Sequence, residues 1–106
     1  MTPRPPIDIW VLVYPHFVLL DATGPVQVFA SANDDARDAG LPAPYRIRVV
    51  ARGGGTVMSS SGVALLAEEL PARGLSRATL IVAGARAADL PTLDTPASPL
   101  AWLKRS

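Results

Sequence analysis

The stretch "IDIWVLVYPHFVLLDATGPVQVF", residues 7–29, decides how the chain folds. Its first part, residues 7–14, is β-branched and aromatic with almost no polar interruption. That is the pattern of a strand buried on both faces, as in a parallel sheet. Pro15 ends it, and the period then changes. Val26, Phe29 and Ala30 fall at i, i+3 and i+4, one face of an amphipathic helix. Thr23 is the expected cap and Pro25 the expected first-turn residue. Gln27, Ser31, Asp34, Asp35 and Asp38 fall mainly on the other side or near the tail, and Gly40 and Pro42 stop the helix. An acid, Asp21, sits at the joint. Taken alone it reads two ways, as a carboxylate favoured by a helix N-terminus or as an acid turned toward a pocket.

Outward from this unit, residues 45–51, "YRIRVVA", form a second strand. Tyr45, Ile47 and Val49 share one face while Arg46 and Arg48 take the other, which predicts a strand with one face partly exposed, toward the sheet's edge. "RGGGT" is a flexible turn, and "TVMSSSGVALLA" is a short hairpin turning around residues 59–62. "LPARGL" is a loop, and residues 78–84, "ATLIVAG", are another short buried strand. Ser98 and Pro99 read as the cap and first residue of a final helix. Strands alternating with helices through short connections predict an α/β fold with a parallel sheet and right-handed crossovers.

Composition narrows the chemistry. The 106 residues make one domain at most, 49% of them apolar, with ten Lys+Arg against nine Asp+Glu. The arginines are scattered singly rather than in a basic stripe, so the chain is a poor DNA binder by itself. It contains no cysteine, which removes disulfides, thiolate ligands and a cysteine nucleophile together, and one histidine, which leaves an ordinary zinc site without ligands. No cofactor is expected. The apolar run at residues 9–20 is interrupted by Pro15 and His16 and falls far short of the roughly 20 residues of a membrane span. A signal peptide is disfavoured by the same interruption and by Asp8. The expectation is a cytoplasmic protein with no membrane partner. "RGGGT" lacks the Lys-Ser/Thr of a phosphate loop and leads into a hairpin. "SSS" reads as a turn, because a nucleophilic serine needs a base and His16 is the sole imidazole. His16 itself reads as a solvent-facing loop residue, and the Arg46/Arg48 pair as a solvated strand face.

The run "VLVYPHFVLLDATGPVQVFASAN" resembles the opening of the ThiJ/PfpI-like, class I glutamine-amidotransferase-like domain, and is most similar to the sensor half of GlxA-type regulators of the AraC family. "PYRIRVVA", "GGTVMSSSGVAL", "ATLIVAGA" and "PLAWLKR" follow in the family's order and spacing. The resemblance implies a flavodoxin-like three-layer α/β sandwich with a mostly parallel sheet, of which residues 1–106 are the N-terminal part, and a homodimer. It places Asp21 where enzymatic relatives carry an acid that contacts the nucleophile, four residues before Pro25. Backbone N–H groups near Gly84 and Ala85 fall where those relatives form an oxyanion site. The ligand-pocket residues it implies are Asp21, Gly24, Pro25, Gly84 and Ala85. Two positions depart from the family pattern: Ala85 stands where a second Gly is common, and His16 stands where Gly is usual in a "YPGF" turn.

The family's nucleophile elbow follows the "LAWL" helix, and this sequence stops before it. Without a cysteine to activate, nucleophilic catalysis is closed to the chain. The expectation is therefore the N-terminal portion of a ligand-sensing and dimerisation domain, neither catalytic nor DNA-binding by itself. Its small-molecule effector is unnamed, and DNA would be reached only through further domains. The alternative is part of a ThiJ/PfpI-like enzyme such as an isonitrile-hydratase-like hydratase, which shares the Asp-x-x-Gly-Pro pattern. A third reading, a genuine short product that is a truncated dimerising or non-catalytic module, suffers from the brevity of the last helix.

Overall fold

In the computed structural model, which describes residues 4–71, 78–86 and 88, the apolar run becomes strand β1 (Ile7–Leu12). The ladder is shorter than the expected 7–14. Val13 and Tyr14 lie beyond it yet stay buried, and the Val13 N–H still donates to the Val50 carbonyl at 2.9 Å. Next come helix α1 (Leu19–Asp38) and strands β2 (Tyr45–Ala51), β3 (Gly55–Met58), β4 (Ala64–Glu69) and β5 (Ala78–Val82). They form one sheet in the order β3-β4-β2-β1-β5. β1 pairs in parallel with β2 on one side and β5 on the other. β4 runs parallel to β2, and β3 runs antiparallel to β4 as the expected hairpin. The architecture is α/β with a mostly parallel five-stranded sheet, consistent with a flavodoxin-like fold. The helix expected from Pro99 lies outside the described residues.

Burial explains why β1 reads as uniformly apolar. Val11 and Val13 face a core completed by Ala22 of α1, with Leu19 and Val26 packed against it. Leu12 faces the opposite side, clustered with Val50 and Leu70 and flanked by Trp10 and Leu80. Val11 and Leu12 are both fully buried, so neither face of the strand tolerates a polar residue at its carboxyl end.

The expected place of β2 at the edge is corrected by the sheet order, since β2 lies between β4 and β1. Its alternation has a local cause. β4 pairs only with Val50 and Ala51, so the first part of β2 has a single neighbour and a solvated face. The arginines on that face are matched by acids. Arg46 makes two hydrogen bonds to its register partner Asp8 on β1, Nε to Oδ1 at 2.6 Å and Nη2 to Oδ2 at 3.0 Å. Arg48 lies 3.8 Å from Glu68 of β4.

The helix start is a second correction. α1 begins at Leu19, with Val18 at the N-cap and no side-chain cap, so Thr23 caps nothing and Pro25 lies inside the helix. The Thr23 hydroxyl instead donates back to the Leu19 carbonyl at 3.2 Å. Leu19, Ala22 and Val26 are spaced i, i+3, i+7 and pack on the same core, and this stripe carries the helix back past Thr23. Packing on that scale offsets the donor that Pro25 removes opposite the Asp21 carbonyl. The C-terminus ends as expected at Gly40. Its φ is +78°, its N–H donates to Arg37 O, and the Leu41 N–H donates to Ala36 O, the two bonds of a Schellman motif.

Two contacts dock α1 onto β2. The rings of Phe29 and Tyr45 meet edge to face at 4.8 Å. The Asn33 side chain donates to the Tyr45 carbonyl at 2.9 Å and accepts from the Tyr45 N–H at 3.0 Å. Asn33 is only 6% exposed, so its amide acts as a buried extension of the strand ladder.

Asn33→Ala leaves both Tyr45 backbone groups without their partner and is expected to destabilise the fold by about 1–3 kcal/mol. Urea unfolding checks this, with the exposed Ser31→Ala as a near-neutral control. The hydrogen bonds from Arg46 hold the Asp8 carboxyl below its ordinary 3.8, outweighing an opposing desolvation, and the charges of Arg46 and Arg48 add to the effect. Because the folded value is depressed, the stability this pair contributes is present above 3.8 and is lost as pH falls through the lower folded value. A carboxyl-carbon NMR titration is expected to show the Asp8 midpoint rising toward its ordinary value in Arg46→Gln; an unmoved midpoint would sink this account.

Candidate functional site

Because α1 carries the chain from β1 to β2 on one side while β5 lies on the other, the strand order reverses at β1. Open α/β sheets bind ligands in the crevice at such a switch point, beyond the carboxyl ends of the strands. Asp21, in the first turn of α1, and Gly84, just past β5, both lie there.

The linking turn is tightly held. Phe17 is fully buried and bridges two neighbours at once, Ser59 beside the hairpin and Ala85 beyond β5. The Val18 N–H donates to the Gly84 carbonyl at 2.9 Å, and the His16 N–H donates to the Met58 carbonyl at 2.9 Å. His16 has a φ of +72°. A left-handed backbone there explains why a glycine suits this turn, since a Cβ in that region costs about 1–2 kcal/mol. The ring of His16 is exposed, as a loop histidine's would be.

Five residues were singled out from the sequence, and the structure joins two of them directly. The Gly84 N–H donates to Asp21 Oδ2 at 3.0 Å. Asp21 is therefore not the helix cap; its carboxylate reaches across to a different strand while still enjoying the positive end of the helix. A Cβ on Gly84 would stand 2.6 Å from that oxygen, so the close approach requires glycine. One of the two backbone donors expected near here, that of Gly84, is thus already committed to Asp21. Ala85 pairs with Phe17, and Gly24 and Pro25 lie half-buried within α1.

Tyr14 was not recognisable from the sequence as more than the end of a strand. Its hydroxyl donates to the Ala83 carbonyl at 2.6 Å, next to Gly84. Burial pushes its phenol up, and the charge of Asp21 adds to the shift. The available signal was chemical: a tyrosine closing a buried strand must find a partner for its hydroxyl. Ser59, the buried serine of "SSS", accepts from the Ser61 and Val63 N–H groups at 3.3 and 3.2 Å, so it builds the turn as expected. Among the described residues no group of three His, Cys, Asp or Glu could hold a metal ion, and no helix is long and apolar enough to cross a membrane.

A cavity of about 580 Å³ opens beside this joint, between Val13, Tyr14 and Pro15, the turn at residues 51–54, and Thr56, Val57 and Met58 of β3. None of the five residues expected to line a pocket lines this one.

No protein-family model matches the chain. A Streptomyces lividans protein described as an uncharacterized protein in the cpoL 5' region is 34% identical over 79 residues, covering 74% of this chain and 52% of that protein. The crystal structure of an AraC family transcriptional regulator from Pseudomonas putida matches with a TM-score of 0.65 and 27% identity, over 84% of this chain and 54% of that one. In fold and sequence the chain is similar to part of an AraC-family regulator, and it spans about half the length of each of these relatives.

The Asp21–Gly84 bond yields a direct test. Asp21→Ala and Gly84→Ala are each expected to cost about 1 kcal/mol, with the double variant costing clearly less than the sum, because both remove the same contact. Urea unfolding of the four proteins closes the cycle; full additivity would mean that the carboxylate and the glycine act independently.

Proposed function

We propose that the chain is the N-terminal portion of the ligand-sensing and dimerisation domain of a GlxA-type transcriptional regulator of the AraC family, built on a ThiJ/PfpI-like domain. The observation that carries this reading is the likeness to the Pseudomonas putida AraC family regulator, which joins 27% identity to an agreement in fold over 84% of the chain. The position of Asp21 and Gly84 at the switch point supports it, since ligands of open α/β sheets bind there, although the Gly84 N–H is bonded to Asp21 rather than left free as an oxyanion donor. In this reading Asp21, Gly24, Pro25, Gly84 and Ala85 line the near side of an effector pocket, and the protein works in the cytoplasm as a homodimer. With no cysteine the chain performs no thiolate chemistry of its own. DNA contact belongs to segments outside residues 1–106, consistent with a chain that spans about half of its structural relative.

The coding DNA immediately downstream of Ser106 tests this. An in-frame cysteine-bearing strand–turn–helix followed by two helix-turn-helix units is the expected result. A cysteine-bearing elbow followed by a stop would replace it with the isonitrile-hydratase-like reading, which shares the Asp21 position. An immediate stop codon would refute both longer parents.

A further inference from the structure

We infer that the cavity at the carboxyl ends of β1 and β2 binds a small organic carboxylate, a molecule with an apolar body and a single negative charge. It is separate from the Asp21 joint, and it rests on the sensing role proposed above only for its biological purpose. At about 580 Å³ the space falls within the roughly 300–1,000 Å³ of small-molecule sites. Its walls are apolar and fixed. Val13 is fully buried and Val57 is 7% exposed. Tyr14 also lines the cavity, and its side chain is held by the hydroxyl's bond to the Ala83 carbonyl. A wall already held in place costs little ordering when a ligand arrives.

The charge of the guest follows from the lining. Among the described residues no carboxylate lines the cavity, and the one cation that does is Arg52. The exposed Arg52 guanidinium makes no ion pair among the described residues, and Glu69, the register partner of the adjacent Ala51, is not paired with it. A guanidinium presents its donors in a fork that fits a carboxylate with two parallel hydrogen bonds. Beside it Gly53 and Gly54 have φ of +83° and +61°. A Cβ on Gly53 would meet nothing within 4 Å, whereas one on Gly54 would stand 3.1 Å from the Glu69 backbone N, so the loop is open at Gly53 and packed on β4 at Gly54. Thr56 is another polar residue that lines the cavity.

The test uses the 106-residue chain with 3-phenylpropanoate and, as its neutral counterpart, 3-phenylpropanamide, followed in amide and methyl NMR spectra. The expected result is saturable shifts at Gly53, Gly54, Val57 and Met58, with the carboxylate binding about tenfold more tightly than the amide, the difference one charge-assisted hydrogen bond supplies. Arg52→Gln, a change at an exposed position, is expected to erase that tenfold preference and leave the weak binding of the amide intact. Equal affinity for acid and amide, shifts centred on Asp21 and Gly84 instead, or no shifts at millimolar probe would each overturn the assignment. None of these readouts involves DNA or the downstream reading frame, so the regulator reading and this site fail by different results.

Discussion

Parallel pairing on both sides of β1 is the constraint on which the rest of the structure depends. Leu12 is held in register with Val50 of β2 and with Val82 of β5 at the same time. With both edges occupied, the strand cannot slip by a residue without exchanging its two faces, and each face has its own core: Val11 with the α1 side, Leu12 with the other. The strand's carboxyl end therefore emerges at one place. Phe17, fully buried and bridged to both Ser59 and Ala85, transfers that position to the turn and to the start of α1.

The Asp21–Gly84 bond inherits its geometry from this arrangement. The two residues are 63 positions apart in the chain, and they meet because β1 and β5 are neighbours in the sheet while α1 starts directly behind β1. Tyr14 belongs to the same junction: its hydroxyl holds the Ala83 carbonyl, and the residue also lines the adjacent cavity. A carboxylate at the open end of a helix, a glycine that lets it approach, and a pinned aromatic wall make the carboxyl edge of this sheet its chemically loaded side. The opposite end of β1 carries the solvated Asp8–Arg46 pair, which fixes register and offers no enclosure. The chain spans about half the length of the relatives it resembles.

Much of this was legible in the residues themselves. Continuous apolar character in residues 7–14 called for a strand buried on both faces, Gly40 for the end of α1, and "RGGGT" for a turn that three glycines with φ of +83°, +61° and +79° then make. These features depend on local chemistry, namely periodicity and conformational freedom at glycine, and local chemistry is written in the chain. Asp21 and Gly84 were marked together only by the family resemblance, and that they touch is a product of the sheet order. Tertiary structure alone decided the rest. It moved the helix start from Thr23 back to Leu19, because packing of Leu19 and Ala22 on the core outweighs the cap preference and the proline inside the helix. It placed β2 in the middle of the sheet with most of one edge free, recruited Asn33 as a strand partner and Tyr14 as a wall, and matched the arginines to acids on neighbouring strands. Each of those outcomes depends on which residues meet across the sheet, and a pairing of that kind has no signature in either partner alone.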